Sequence, residues 1–268
     1  MLRAAVRADR DVRLEYEVRG SGEPLILLHG GLCAGSFRCL LERPELAGER
    51  RLIRYHRVGY AGSDRIDGPV SVGDQAAHCW SLMRHLGLGR ADVVGHSSSA
   101  DIALQLALDH PAAVRSLALL ETALLTVPTG PFAGDAMRHY QAGEKAAAVD
   151  VWLRGVAGPD YREALERVEP GAFDQAVGDA DTFFGQELPA VRDWPFGPDE
   201  ARRVEQPVLL VLGARSHEVS PVFGRRHELL RAWLPRAEPF VLADASHLLH
   251  VQNPAGMAEG LARFLAHR

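Results

Sequence analysis

Six short apolar runs recur along the chain without internal alternation, at residues 25–28, 51–55, 91–95, 116–120, 208–212 and 240–242. A strand with one wet face alternates apolar and polar side chains, so unbroken runs of this length suit strands covered on both faces. Between them lie stretches of helical periodicity, at 36–46, 72–86, 98–108, 223–234 and 254–266. Their ends are marked: Pro111 follows one helix, Gly87 closes another, and Asn253-Pro254 makes a cap and first-turn pair for the last. Strands alternating with helices predict an α/β fold on a mostly parallel, doubly wound sheet. The N terminus departs from this. Residues 3–8 and 12–18 alternate and are joined through Asp9-Arg10-Asp11, the pattern of a hairpin.

The alternation of strand and helix stops between Thr122 and Gln206. Helical pieces are expected there at 135–155 and 161–168, followed by irregular segments to Pro198. The division predicted is a core of residues 1–121 and 207–268, with 122–206 inserted as a helical cap. Nine of the eighteen aromatic residues fall in that insertion, which is under a third of the chain. Each aromatic is individually more at home in packing than in binding. Together they suggest an apolar pocket wall, with Trp152, Phe183 and Trp194 as candidates.

The stretch Ala91-Asp92-Val93-Val94-Gly95-His96-Ser97-Ser98-Ser99-Ala100 carries the chemistry. An apolar strand runs into a turn of small residues and a helix follows, the way a nucleophile is lifted off a sheet edge. Ser97 is the candidate nucleophile, and the Ser98 amide, at the favourable end of the helix dipole, is a candidate oxyanion donor. The pattern is G-x-S-x-S rather than G-x-S-x-G, and the same serines would also serve as helix caps. A serine hydroxyl needs a base, and the base an acid that fixes its tautomer. His247, on the loop between the last strand and the last helix, lies at the same sheet edge and is preferred to His250. His96 reads as a packing residue of the turn.

At this point the chain resembles the α/β-hydrolase fold superfamily. His29-Gly30-Gly31 is similar to its oxyanion loop, Gly59-Tyr60-Ala61-Gly62-Ser63 to its G-x-G-x-S turn, and Ala245-Ser246-His247 to its histidine segment. The resemblance implies that the Gly31 amide joins that of Ser98 in an oxyanion hole, and that Leu32, Cys33 and Phe37 flank the pocket. The family's acid commonly stands in a G-x-x-D stretch, which here is Gly213-Ala214-Arg215-Ser216 and lacks the carboxylate. Glu218, two residues on, is the alternative acid. Glu121 is preferred because Leu119-Leu120-Glu121 resembles the arrangement of zearalenone-type lactonases and certain haloalkane dehalogenases, whose acid ends the strand after the nucleophile helix. A buried carboxylate there needs a partner, and an imidazole N–H is a suitable one.

Composition narrows the partners. The 268 residues carry a net charge of −5 with no long basic run, which disfavours nucleic acid or an anionic membrane surface as partner. No start resembling a signal peptide and no bilayer-length apolar segment is visible, so a cytoplasmic protein is expected. The three cysteines form no C-x-x-C pair and the twelve histidines are scattered, so no metal and no cofactor is expected. The expected partner is a small apolar ester or lactone, hydrolysed through an acyl-enzyme on Ser97, by a monomer or homodimer. Serine at the turn disfavours dehalogenase and epoxide hydrolase chemistry, for which the superfamily uses aspartate. A sensor on the same scaffold, a carbon–carbon bond hydrolase, a thioesterase and a cofactor-free lyase stay open.

Overall fold

A computed structural model describes residues 2–7 and 11–266. Eight strands form one sheet in the order β1-β2-β4-β3-β5-β6-β7-β8: β1 (Leu2–Arg7), β2 (Asp11–Arg19), β3 (Glu23–Leu28), β4 (Arg50–Tyr55), β5 (Ala91–His96), β6 (Val114–Leu120), β7 (Val208–Gly213) and β8 (Ala237–Leu242). β1 and β2 pair antiparallel, as the hairpin pattern predicts, although the turn at 8–10 lies outside the described residues. β2 joins β4 antiparallel, and every pairing from β4 to β8 is parallel. All six residues of β5 are buried, as an unbroken apolar run at the centre of a sheet requires.

The chain passes from β3 to β4 on one side and returns to place β5 on the other. β3 and β5 therefore bracket the point where strand order reverses, and their carboxyl ends open a crevice. Helix α1 (Val72–His85) is closed by a capping box in which Ser71 and Asp74 exchange hydrogen bonds of 3.0 and 2.8 Å. α2 (Ser98–Asp109) leaves the crevice directly from β5. Between β6 and β7 come α3 (Pro131–Gln141), α4 (Lys145–Ala157), α5 (Tyr161–Val168), α6 (Ala172–Gly178) and α7, residues 180–192. α8 (Val222–Trp233) and α9 (Pro254–Leu265) complete the layers. The two sheet faces are packed by separate apolar clusters, one centred on α1 and α2 and the other on α9; a third joins the helices between β6 and β7 to Leu32, Phe223 and Leu248. Among the described residues, no helix is long and apolar enough to cross a membrane.

Three expectations from periodicity are corrected. The helix expected at 36–46 is two single turns, Arg38–Leu41 and Pro44–Ala47, because Pro44 forces Arg43 into extended backbone. The piece expected at 135–155 breaks into α3 and α4 at Gly143, which takes φ 81°. The segments after 168 are helical rather than irregular, as α6 and α7. Pro189 hid the second of these. It lacks an N–H and crowds the carbonyl four residues back, and α7 accommodates it by a wide π turn, Phe183–Glu187, in which the Leu188 amide donates to the Phe183 carbonyl.

Candidate active site

Ser97 has φ 55° and ψ −124°, strained for a residue with a side chain. Three hydrogen bonds hold it there. Its amide donates to the Leu120 carbonyl of β6 at 2.9 Å, and its own carbonyl accepts from the amides of Ala100 and Ala123 at 3.0 and 3.2 Å. Strand and helix approach so closely that a Cβ at residue 95 would lie 2.4 Å from the Ser99 carbonyl oxygen, so only glycine fits. Ser99 tolerates the remaining space and uses it: its hydroxyl donates to the His29 carbonyl at 2.5 Å, tying the turn to the end of β3.

His247 reaches this turn from the loop after β8. Its Nε2 accepts from the Ser97 hydroxyl at 3.1 Å and its Nδ1–H donates to Glu121 Oε2 at 2.8 Å. The ring is held between Phe223 of α8, stacked at 4.6 Å, and His96, tilted against it at 4.8 Å. His96 in turn donates from Nε2 to the His247 carbonyl at 2.7 Å. Burial, followed by the neighbouring histidines, holds His96 well below the usual histidine range, so it acts as a neutral strut. His250 is likewise neutral, pushed down to about 3 by burial, and stacks on Phe37 at 4.2 Å.

Glu121 ends β6 with φ 45° and is buried. Its second oxygen, Oε1, accepts from the Gly213 amide at 2.8 Å and from the Ser216 hydroxyl. Ser216 occupies the place where G-x-x-D would supply a carboxylate, and its hydroxyl hydrogen-bonds Glu121 instead. Glu218 is exposed and pairs with Arg215 at 3.1 Å.

Gly31 and Ser98 line the pocket beside Ser97. Among the described residues neither amide has a backbone acceptor, which leaves both free for an oxygen in the pocket. A Cβ at residue 31 would lie 2.3 Å from the Phe183 ring and 2.8 Å from Glu187 Oε1. Glu187 was invisible to pattern reading. It descends from the π turn of α7, is buried, and accepts from the Ser98 hydroxyl at 2.5 Å and from the Tyr60 hydroxyl, with Arg57 Nη2 at ion-pair distance, 2.8 Å.

The pocket has about 570 Å³ of empty volume, counting its open mouth. Cys33, Trp152 and Phe183 line it. Leu32, Phe37 and Trp194 do not, and each has a packing reason. Leu32 turns away with φ 62° into the insertion's apolar cluster, Phe37 lies behind the site against His250, and Trp194 stacks on Phe196 while its Nε1–H donates to Gln105 at 2.7 Å. The Cys33 thiol is pushed up to about 12 by burial and the nearby Glu187 charge, so it stays protonated. Thr129 and Arg226 also line the pocket and were missed, since nothing in local sequence distinguishes an inward arginine from an outward one.

Comparison with known proteins bears on the fold. A family model for the alpha/beta hydrolase fold matches residues 23–147. Over 275 residues, 95% of this chain and 91% of that protein, the chain is 27% identical to the 2-hydroxymuconate semialdehyde hydrolase of Pseudomonas sp. (strain CF600). Among solved structures, a thermophilic esterase from Thermogutta terrifontis superposes with a TM-score of 0.82 at 20% identity, covering 99% of this chain and 98% of that one. The enol-lactonase from Burkholderia xenovorans LB400 gives 0.80 at 20% identity, covering 99% and 100%. The chain has the α/β-hydrolase fold, and residues 23–147 match that family's model. Its relatives and structural neighbours include esterases, lactonases and a hydrolase of 2-hydroxymuconate semialdehyde.

Proposed function

We propose that this chain is a serine hydrolase that cleaves a carboxylic ester or lactone of a largely apolar small molecule. The observation that carries the reading is the unbroken contact chain from the Ser97 hydroxyl through the His247 ring to Glu121. His247 Nε2 takes the Ser97 proton as Oγ attacks the substrate carbonyl, and Glu121 stabilises the imidazolium through Nδ1–H. The Gly31 and Ser98 amides hold the oxyanion. The tetrahedral intermediate collapses to an acyl-Ser97 ester as His247 protonates the departing alkoxide. Water, deprotonated by the same nitrogen, then attacks the acyl carbonyl, and Ser97 leaves with its proton restored. The segment 122–206 acts as a cap, its Trp152 and Phe183 forming the apolar wall. The enol-lactonase and esterase neighbours support ester and lactone substrates.

A fluorophosphonate probe tests this directly. One label per chain, absent in Ser97→Ala, and an acyl adduct trapped on Ser97 by mass spectrometry during ester turnover are the expected results. A folded protein that takes no label favours a binding protein on this scaffold. Turnover without any acyl adduct favours carbon–carbon bond hydrolysis or lyase chemistry that uses His247 as a base.

A further inference from the structure

Arg226 is the one charged side chain among those lining the pocket, and its surroundings leave it underused. It is 3% exposed on α8, one turn beyond Phe223, so the helix that supports the His247 ring also carries the guanidinium. Nη2 donates to the Val127 carbonyl at 2.8 Å and to Thr129 Oγ1 at 2.9 Å, while Nε has no acceptor. Two neutral oxygens do not compensate the desolvation of a buried cation, which runs to several kcal/mol. A loop tie alone would be served by a neutral amide.

Two buried carboxyls, Asp101 and Glu121, act on this charge from a distance, and among the described residues neither forms an ion pair with it. Asp101, on α2, is fully buried, and neither of its oxygens has a well-formed hydrogen bond. Burial raises it well above the usual carboxylate range, against the pull of the Arg226 charge and the Leu124 amide. Burial lowers Arg226 only to about 10, so the guanidinium stays charged. The pocket lining also includes Thr129, Ala123, Leu125 and His247.

We propose that Arg226, with Thr129, is an anion subsite, and that the natural substrate carries a carboxylate remote from the ester or lactone bond that Ser97 attacks. This rests on the hydrolase reading for the bond cleaved, but not for the anion bound. A substrate carboxylate would accept from the guanidinium and from the Thr129 hydroxyl, giving Arg226 the direct ion pair that it lacks among the described residues.

The test compares mono-4-nitrophenyl esters of adipate, pimelate and suberate with the same esters bearing a terminal carboxamide, which matches the carboxylate in size but not in charge. Charge-assisted hydrogen bonds of about 1.5–3 kcal/mol correspond to a preference of ~10–150-fold in kcat/KM for the acid at its best chain length. In Arg226→Gln that ratio collapses towards one, and in Arg226→Lys part of it survives. Calorimetric titration with free adipate against adipamide reads the same subsite without turnover, with adipate binding more tightly to the wild-type protein. Equal rates on both ester series and equal binding of adipate and adipamide overturn the anion subsite and leave the hydrolase intact. Adipate binding that depends on Arg226, without any esterolysis or fluorophosphonate labelling, keeps the subsite and removes the hydrolase reading. The wild-type comparisons stand even where a variant fails to fold.

Discussion

The sheet edge and the helical insertion each deliver one buried carboxylate to the Ser97 turn, by opposite means. Glu121 is fixed by covalent geometry: it ends β6 in left-handed backbone, and three donors from three segments converge on it. Glu187 arrives on the π turn of α7 and is fixed by what it meets on the core, namely Ser98, Tyr60 and Arg57. The first touches the imidazole. The second touches the backbone segments that flank Gly31 and Ser98. On the proposed mechanism the contrast separates two tasks: the sheet aligns Ser97, His247 and Glu121, and the segment between β6 and β7 clamps the walls around them.

The largest expected effect breaks the sheet-edge carboxylate. Glu121→Gln leaves His247 Nδ1 without its anionic partner, and kcat is expected to fall ~10²–10⁴-fold, while Glu218→Gln stays near wild type in steady-state ester hydrolysis. A reversal of that order would move the acid to the loop after β7. Breaking the insertion's carboxylate is expected to act on the fold first. Glu187→Gln strands the buried Arg57 guanidinium, and removing one member of a buried pair costs about 3–5 kcal/mol. Chemical denaturation measures this, and an unchanged midpoint would dissolve the clamp.

The smallest effect sharpens the comparison through pH. Asp179, also in the insertion, accepts from the Ala61 amide at 3.1 Å and is salt-bridged to Arg65. Burial pushes its pKa up to about 6 from 3.8, against the pull of the Ala61 amide, Gln175, Arg65 and Arg57. The folded state therefore holds this proton more tightly than the unfolded chain does. Stability declines as pH rises across that window, and the deficit is complete above it. Asp179→Asn is expected to lose this decline in denaturation curves taken between about pH 4 and 7. An equal slope in both proteins would assign the titration elsewhere.

The parallel strands and the order of the site were legible because each rests on a local rule. Central strands must be apolar on both faces, and a strand-to-helix reversal as tight as 95–99 admits only small residues. Even the carboxylate proposed as the acid left a trace, in the stretch Gly213-Ala214-Arg215-Ser216, which lacks the aspartate of G-x-x-D. The insertion was poorly legible because its helices are short, interrupted by Gly143 and Pro189, and stabilised by packing rather than by periodicity. Leu32, Phe37 and Trp194 misled for a related reason: apolar residues near a pocket in sequence can as well build its support as its surface, and backbone direction decides. Arg226 and Glu187 gave no sign, since a charge at a helical position reads as solvated until a neighbouring element covers it.

The space beside residue 31 carries a constraint on how such proteins change. Phe183 and Glu187 fill the volume that any side chain larger than hydrogen would need, so the strand exit at Gly31 and α7 are mutually shaped, like a thread and its nut. A foreign lid grafted onto this sheet would inherit a hole at that glycine and an orphaned Arg57. Retuning of substrate range is thereby steered to positions farther out, along α4 and the 122–130 loop.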